Sequence, residues 1–408
     1  MSRQLSPSLL NLGLLVLCGL TAFQVIQASN IISKKKGEHP EPKFNVDWES
    51  FGFGLNGVRT DKMWLNRVKV VEEDSAMTAN YSASERTCLV PLGDLPLSPT
   101  ATVLNYGQAL FEGLKAFRRP DGSISIFRPE KNAERMAKGA KRFLMPPVPT
   151  DVFLSAVDAV VRSNAKWVPP HGKGSLYLRP LLMGTGEGLG VKPSSEVTFC
   201  IFVSPVGNYF KGGLKAISVQ AVRGFSRAAK GGAGAVKAAG NYAPAFQVQR
   251  EVRQRGYDEV LCLDAVSGEA VEEAGASNFF TIFPDNTLAT PSLSQETILP
   301  GVTRQSILEL AAAECGLKIR EGRITLSELK RAKEAFCCGT GACITPVGSI
   351  SVTSHTNPES VEDEIKYGDG QTVGLITEKL YYILTGIQSG SNLEMSEKYK
   401  QWVHTVKP

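Results

Sequence analysis

Lys237 lies in a segment of small residues, GAVKAAGNY, and its amine is suited to covalent chemistry with a carbonyl compound. Such an amine reacts only when it is uncharged, and burial next to another cation lowers its pKa enough for that. The small neighbours leave room for a flat ligand to approach the backbone. Taken alone, the segment is more typical of a solvated loop lysine, and Lys230 is a competing candidate on composition.

Glu272 and Glu273 follow a strand-like run, in VEEAGASN, and could supply a carboxylate. A buried carboxylate can keep the ring nitrogen of a cofactor protonated, so that the ring accepts electrons from a carbanion formed beside it. Adjacent residues of a strand point to opposite faces, so only one of the two can face a site. We expect the other to be exposed to solvent.

Two further segments could hold an anion. In LPGVTRQS a glycine precedes a helix, and Val302 and Thr303 would offer free backbone N–H groups at its first turn. In CCGTGACITP the residues Gly339, Thr340 and Gly341 form a turn of small residues that can make an anion nest. Each pattern alone is more typical of an ordinary helix start or turn.

Alternating strands and helices must position these residues. Apolar runs predict strands in SISIFRP, VTFCIFVSPVG, YDEVLCLDA and SNFFTIF. Helical spacing predicts helices in KNAERMAKGAKRFLM, in NYAPAFQVQREVRQRG, in TRQSILELAAAECG up to Gly316, and in TLSELKRAKEAF, where Thr325 and Glu328 have capping-box spacing. Alternation in both halves indicates an α/β or α+β protein.

The length of 408 residues exceeds what one hydrophobic core usually spans, so we expect two domains with a ligand cleft between them. The predicted division is a leader at 1–38, an N-terminal α+β domain at 39–206, a linker at 207–217 and a C-terminal domain at 218–408. Lys237 falls in the C-terminal domain. The small-residue segment around it, read alone, is typical of a flexible connection.

Charge and cysteine content exclude some functions. The net charge is +5, but Arg3 and residues 34–36 contribute +4 before the first acidic residue, Glu38, and the rest carries only +1. That surplus is too small for a nucleic-acid-binding face. The eight cysteines form no Cys-x-x-Cys pair and only four histidines are present, so we expect no metal site and a reducing compartment.

Residues 9–28 form a largely apolar stretch, preceded by Arg3 and followed by three lysines. The lack of acidic residues suits a transit peptide of a plastid or mitochondrion. The long apolar core suits a secretory signal or a membrane anchor instead. We expect an organelle address, with the signal or anchor as the alternative.

Seven ordered motifs together resemble one family. They are LNYGQALFEGLKAF, FRPEKNAERM, GSLYLRPLLMG, SPVGNYFKGG, VKAAGNYAP, ILPGVTRQS and GTGACITPVGSI, and the match runs from about Trp48 to near the C-terminus. The chain resembles the branched-chain amino acid aminotransferases, particularly those of plants, which belong to the fold-type IV pyridoxal-phosphate enzymes. The resemblance implies a two-domain fold with the cofactor in the interdomain cleft.

The same resemblance implies a set of cofactor contacts. Lys237 would carry pyridoxal 5'-phosphate as a Schiff base, Tyr242 would hydrogen-bond its phenolic oxygen, and Glu273 would hold its ring nitrogen. The phosphate would be bound by an arginine, a helix start and a hydroxyl: Arg135, Val302, Thr303 and Thr340.

For the substrate, the resemblance implies an apolar pocket that also accepts glutamate. Its aromatic walls would be Phe111, Tyr177 and Tyr209, with Tyr106 reaching over from the partner subunit of a homodimer. Arg179 would meet the side-chain carboxylate of glutamate. The backbone at Thr340 and Gly341 would hold the α-carboxylate.

The activity implied is a reversible ping-pong transfer of the amino group between leucine, isoleucine or valine and 2-oxoglutarate. The chain departs from the family at Ala276 and Gly341, commonly threonine and alanine, and lacks the Cys-x-x-Cys of some animal members at Ala342 and Thr345. Other fold-type IV activities, D-amino acid transamination and aminodeoxychorismate lysis, are disfavoured by NYGQALFEG and the tyrosines. A cofactor-binding protein without turnover is disfavoured by the intact lysine, tyrosine and glutamate.

Overall fold

Two large β-sheets organise the chain in a computed structural model that describes residues 38–51, 58–82, 85–208 and 214–408. The strands up to residue 206 are β1 (Lys62–Lys69), β2 (Val71–Glu73), β3 (Ala76–Thr78), β4 (Leu89–Pro91), β5 (Ala109–Phe111), β6 (Leu114–Arg118), β7 (Ile124–Phe127), β8 (Ser175–Gly184) and β9 (Glu196–Val206). The later strands are β10 (Ile217–Arg223), β11 (Glu259–Leu263), β12 (Val271–Ala274), β13 (Ser277–Ile282), β14 (Thr287–Pro291), β15 (Lys318–Gly322), β16 (Glu334–Gly339), β17 (Cys343–Ser354), β18 (Asn357–Lys366) and β19 (Val403–Thr405).

The helices lie mainly between these strands. They are α1 (Glu85–Cys88), α2 (Thr102–Tyr106), α3 (Pro129–Arg142), α4 (Thr150–Ser163), α5 (Phe246–Gln254), α6 (Val302–Cys315), α7 (Leu326–Leu329), α8 (Leu375–Ser389) and α9 (Leu393–Lys398). Short 3-10 turns occur at Ala165–Trp167, Ala239–Asn241, Ala243–Ala245, Leu293–Gln295 and Lys400–Trp402. No described helix is long and apolar enough to cross a membrane. The predicted leader lies almost entirely outside the described residues.

The first sheet is antiparallel and has the strand order β19-β7-β6-β8-β9-β1-β4, with β5 paired to β8. Helix α3 begins with Pro129 at a position where the missing N–H costs nothing, and basic residues end it. Its apolar residues Ala133, Met136 and Ala140 recur at helical spacing and join the core of this sheet. The last strand of the chain, β19, pairs with β7, so the C-terminus returns to the first sheet.

The second sheet contains β10 to β18 and has a closed part. Its order is β12-β11-β10-β17-β16-β13-β14-β15, and β12 also pairs with β13, so that six strands form a ring. Strand β10 is parallel to β11 and β17. Helix α6 ends, as expected, at Gly316, whose φ of 63° is the left-handed conformation that glycine adopts without strain.

One predicted helix is too long. The capping box of Thr325 and Glu328 is present, but α7 ends at Leu329, and Glu334–Gly339 is the strand β16. Strand β16 lies between β13 and β17, and its central residues are buried. Pairing on both sides satisfies the backbone there, and this overrides a local helical pattern.

Candidate active site

A cleft of about 900 Å³ contains most of the residues that the sequence singled out. Its walls come from both sheets and from the connection between β10 and α5. Among the lining residues are Phe111, Tyr177, Arg179, Lys237, Tyr242, Thr340 and Gly341. Residues as far apart in sequence as Phe111 and Gly341, which are 230 positions apart, therefore share one cavity.

The loop that carries Lys237 is held by its own neighbours. The side-chain amide of Asn241 donates to the carbonyls of Ala233 at 2.7 Å and Val236 at 2.9 Å. The carbonyl of Lys237 accepts from the backbone N–H of Phe111 at 3.1 Å, which ties the loop to β5. The small-residue segment is thus an anchored loop, although nothing in its composition alone indicates this.

The surroundings of the buried Lys237 amine favour its uncharged form. Its Nζ donates to the Tyr242 hydroxyl at 3.1 Å and lies 4.6 Å from the centre of the Phe111 ring. Burial, followed by the charge of Arg135, lowers the pKa of Lys237 to about 8. A usable fraction of the amine is therefore uncharged near neutral pH. Lys230, the competing candidate, is exposed.

Glu273 lies at the other end of the site in a buried ion pair. Its Oε1 is 2.7 Å from Nε of Arg227, and the two side chains are 5% and 7% exposed. The backbone N–H of Leu299 donates to Oε2 at 3.1 Å. Burial raises the pKa of Glu273 to about 7, although Arg227 opposes the shift. This carboxyl can exchange a proton near neutral pH.

The expected solvent exposure of Glu272 is wrong. The residue is 7% exposed, and burial raises the pKa of its carboxyl while a hydrogen bond with Thr297 opposes the shift. Strand β12 has neighbours on both sides in the closed ring, and the segment with Thr297 meets its other face. The alternation of β12 still turns the two glutamates to different partners.

Arg135 projects from α3 to the start of α6. Its Nε and Nη2 donate to the two oxygens of Glu112 at 2.8 and 2.6 Å, and its Nη1 donates to the carbonyl of Pro300 at 3.0 Å. Glu112 is 0% exposed and also accepts from the amide of Asn132 at 2.8 Å. Three of the five N–H groups of the guanidinium make these bonds, and the forked contact with Glu112 fixes its orientation.

The start of α6 is closely packed. A Cβ at Gly301 would lie 2.1 Å from Oδ1 of Asn278, so only glycine fits there. Val302 and Thr303 are the first two residues of the helix, where backbone N–H groups have no partner within the helix. Both residues are buried and neither is among those that line the 900 Å³ cleft.

The turn between β16 and β17 is bonded to the first sheet. The Thr340 hydroxyl donates to the carbonyl of Gly113 at 3.2 Å, and Nζ of Lys115 donates to the carbonyl of Gly341 at 2.5 Å. These two bonds join residues more than 200 positions apart. They hold one wall of the cleft against the opposite sheet.

The aromatic wall includes a cation. Tyr177 and Arg179 are two residues apart on β8 and share a face, and Nη2 of Arg179 donates to the Tyr177 hydroxyl at 3.3 Å. The Arg179 guanidinium carbon lies 4.7 Å from the centre of the Phe111 ring. Among the described residues, Nε of Arg179 is buried without a hydrogen-bond partner. The wall can therefore face an apolar group and still offer a donor to an anion.

Tyr106 lies away from the cleft. It ends α2, is 42% exposed, and donates its hydroxyl to the carbonyl of Leu189. Tyr209 lies outside the described residues. Sequence reasoning also missed three charged residues of the site, Glu112, Lys115 and Arg227. A charged side chain within an apolar or small-residue run was the available signal, and it is a weak one.

Comparison with known proteins places this geometry in a class. Residues 109–350 match the family of class IV amino-transferases. The chain is 43% identical to the chloroplastic branched-chain-amino-acid aminotransferase 5 of Arabidopsis thaliana, over 88% of this chain and 79% of that protein. It is 44% identical to the mitochondrial branched-chain-amino-acid aminotransferase 1 of the same plant, over 88% of this chain and 86% of that protein.

Solved structures agree with the sequence relatives. The crystal structure of the Escherichia coli branched-chain amino acid aminotransferase superposes with a TM-score of 0.63 at 28% identity, covering 81% of this chain and 95% of that one. The chain belongs to the branched-chain-amino-acid aminotransferases within class IV. The family and the fold-type IV architecture predicted from the seven motifs are confirmed.

Proposed function

We propose that the chain catalyses the reversible transfer of an amino group between leucine, isoleucine or valine and 2-oxoglutarate, by a ping-pong mechanism with pyridoxal 5'-phosphate. The observation that carries the proposal is the buried Lys237 amine, with its pKa lowered to about 8, in a cleft walled by aromatic rings and one arginine. Class membership supports the reaction type, and the plant relatives support the substrate class.

The residues present fit that cofactor. The cleft brings together the buried amine of Lys237 and the phenol of Tyr242. The carboxyl of Glu273, with a pKa of about 7, lines a small adjoining pocket together with Tyr242. When bound, pyridoxal phosphate supplies an aldehyde that condenses with amines and a ring that withdraws electrons. Lys237 would anchor it, Tyr242 would donate to its phenolic oxygen, and Glu273 would hold a proton at its ring nitrogen.

The phosphate group needs donors at a distance from the lysine. Arg135 is fixed beside the start of α6 through its bond to Pro300, and the first N–H groups of that helix favour an anion. The proposed contacts are the Arg135 side chain, the backbone of Val302 and Thr303, and the Thr340 hydroxyl, whose single proton would turn from the Gly113 carbonyl to the phosphate.

Lys237 also carries the proton during the reaction. With its amine free and uncharged, Lys237 would take the proton from the substrate Cα and deliver it to the former aldehyde carbon, C4′, of the cofactor. The Tyr242 hydroxyl at 3.1 Å keeps the amine directed into the cleft.

Substrate selection combines three surfaces. Phe111, Tyr177 and Tyr209 would surround a branched apolar side chain, and Arg179 would donate hydrogen bonds to the side-chain carboxylate of glutamate. The backbone at Thr340 and Gly341 would bind the α-carboxylate. Because Tyr106 is outside its own cleft and partly exposed, we propose that it completes the cleft of a partner in a homodimer.

The relatives include chloroplastic and mitochondrial proteins. We propose that residues 1–38 direct the chain to a plastid or mitochondrion, with a secretory signal or membrane anchor as the alternative. We also propose domains at 39–206 and 218–408 joined by 207–217, with β19 returning to the first sheet.

The test is a coupled assay of the purified protein, loaded with pyridoxal phosphate, using each L-amino acid with 2-oxoglutarate. Turnover of leucine, isoleucine or valine is expected. D-Alanine serves as the control substrate, and activity on it alone would point to a different fold-type IV reaction. A visible absorbance band that no amino acid changes would show a binding protein without turnover.

A further inference from the structure

Lys115 is a partly buried lysine of β6. It contacts the turn between β16 and β17 on the side away from the 900 Å³ cleft. Its Nζ donates to the carbonyl of Gly341 at 2.5 Å. It is not among the residues that line the 900 Å³ cleft, but it lines a second cavity of about 170 Å³. Gly341 and Ala342 line both cavities, so the turn separates them.

The bond to Lys115 orients one peptide group. The peptide between Gly341 and Ala342 is planar and trans, so its C=O and N–H point in opposite directions. Since the carbonyl points to Lys115, the N–H of Ala342 points away from it, and Ala342 lines the cleft whereas Lys115 does not.

The residues on either side of this peptide are anchored by other contacts. Thr340 donates to Gly113, and Sγ of Cys343 donates to Oε1 of Gln388 at 3.1 Å. Cys343 has a φ of 61°, a conformation that L-residues rarely adopt, so the turn leaves little freedom there. Gly341 lies between these anchors and has the least restricted backbone. Lys115 holds the carbonyl at that position.

We propose that Lys115 is a positioning residue for the α-carboxylate of the substrate. It fixes the Gly341–Ala342 peptide with its N–H toward the cleft and places a positive charge behind that N–H. The inference rests on the proposed function, in which the backbone at Thr340 and Gly341 binds the α-carboxylate, and it adds the N–H of Ala342 to that set. A charged donor on the carbonyl also polarises the peptide and strengthens its N–H as a donor.

This role differs from that of Arg179. Every amino acid and 2-oxo acid substrate carries the α-carboxylate, whereas only glutamate and 2-oxoglutarate carry a second one. Loss of Lys115 therefore weakens the binding of leucine and the binding of glutamate by the same factor.

The test uses the full holoenzyme with Lys115→Met, which keeps similar bulk without charge or donor. Half-reactions measured in single turnovers give the half-saturating concentrations of leucine, of glutamate and of 3-methylbutylamine, which is leucine without its carboxylate. We expect the half-saturating concentrations of leucine and glutamate to rise about tenfold, as for loss of a ~1.4 kcal/mol contact. That of 3-methylbutylamine should not change. Exposed Lys230→Met is the matched control and should match wild type.

Two further variants sharpen the test, and the first of them keeps it decisive if Lys115→Met does not fold. Lys115→Arg retains a charged donor and should retain most of the affinity for both amino acids. Gly341→Ala restricts the backbone and should reduce the loss caused by Lys115→Met when the two are combined.

Each outcome decides between the two proposals. Equal weakening of leucine and 3-methylbutylamine would show that Lys115 only supports the pocket, and unchanged affinities or a loss confined to glutamate would also overturn the inference. If the wild-type protein does not react with leucine at all, the proposed function fails instead.

Discussion

Arg227→Met tests how the site controls the charge of Glu273. In the structure Arg227 is the ion-pair partner of Glu273 at 2.7 Å, and it also donates to the carbonyls of Gly234 at 3.2 Å and Thr297 at 2.5 Å. The pKa of Glu273 is already raised to about 7 by burial, with Arg227 holding it down. Removing the arginine removes the main opposing charge, so that pKa must rise further.

The size of the rise follows from Coulomb's law. Two unit charges about 4 Å apart interact by roughly 4 kcal/mol at an effective dielectric constant of about 20. One pKa unit corresponds to about 1.4 kcal/mol. The upper bound on the rise is therefore about 3 pKa units. A protonated ring nitrogen of the cofactor beside Glu273 would be a second positive charge and would reduce the rise. We expect a shift of roughly 1 to 3 units.

The kinetic assay is the pH dependence of the single-turnover rate constant with leucine. A neutral Glu273 cannot stabilise a proton on the ring nitrogen, so the variant should be about 10- to 100-fold slower at pH 7. It should recover toward wild type as the pH rises through the new pKa. The acid limb of the profile moves to higher pH.

The free energy of unfolding of the cofactor-free protein provides a second measurement. The folded-state pKa of Glu273, about 7, lies above its ordinary 4.5, so between these values the folded state binds more protons than the unfolded state. The free energy of unfolding therefore falls as pH rises through that window. In Arg227→Met the fall continues above pH 7, and the difference in melting temperature from wild type should be larger at pH 9 than at pH 6.

The control is Arg250→Met, which removes an exposed arginine from α5 and should change neither profile. A loss of rate in Arg227→Met that is the same at every pH would refute the electrostatic argument. It would mean that Arg227 acts by holding the loop at Gly234 through its backbone contacts.

Three other outcomes are expected. Lys237→Ala should abolish turnover and the visible absorbance band of the bound cofactor, measured by spectroscopy, while Lys230→Ala should keep both. Glu273→Gln should slow Cα proton removal by at least about tenfold, whereas Glu272→Gln should affect the melting temperature rather than the rate; equal rate losses would contradict the assignment. Arg179→Met should weaken the half-reaction with glutamate by roughly 1.5–3 kcal/mol and leave leucine nearly unchanged, and a parallel loss would show that the arginine only supports the pocket.

Local patterns predicted the elements whose ends have local causes. Helix α6 begins after Gly301 and ends at Gly316 because the cap residues act within a few positions of each other. Helix α7 was overestimated because the following segment becomes the central strand β16, whose partners β13 and β17 are set by the whole sheet. Periodicity within a window carries no information about such partners.

The candidate site shows the same limit. The motif around Lys237 identified the amine, but the contact of Lys115 with Gly341 joins positions 226 residues apart, and that of Arg135 with Glu112 joins helix α3 to the connection between β5 and β6. Glu272 was expected outside because strand alternation says which residues share a face, not whether that face is covered. Charged residues that act through distant partners therefore escape a reading of motifs alone.

The placement of charges around Lys237 explains why these distant partners matter. Glu112 and Glu273 are each paired with an arginine, whereas Arg179 keeps a buried donor without a partner among the described residues. Burial and the nearby arginines together lower the pKa of Lys237 to about 8. A carboxylate that enters the cleft brings a negative charge toward the same amine and must raise its pKa, because an opposite charge favours the protonated form. Substrate binding thus makes the Lys237 amine more basic, and it also lowers the fraction of that amine that is uncharged at neutral pH.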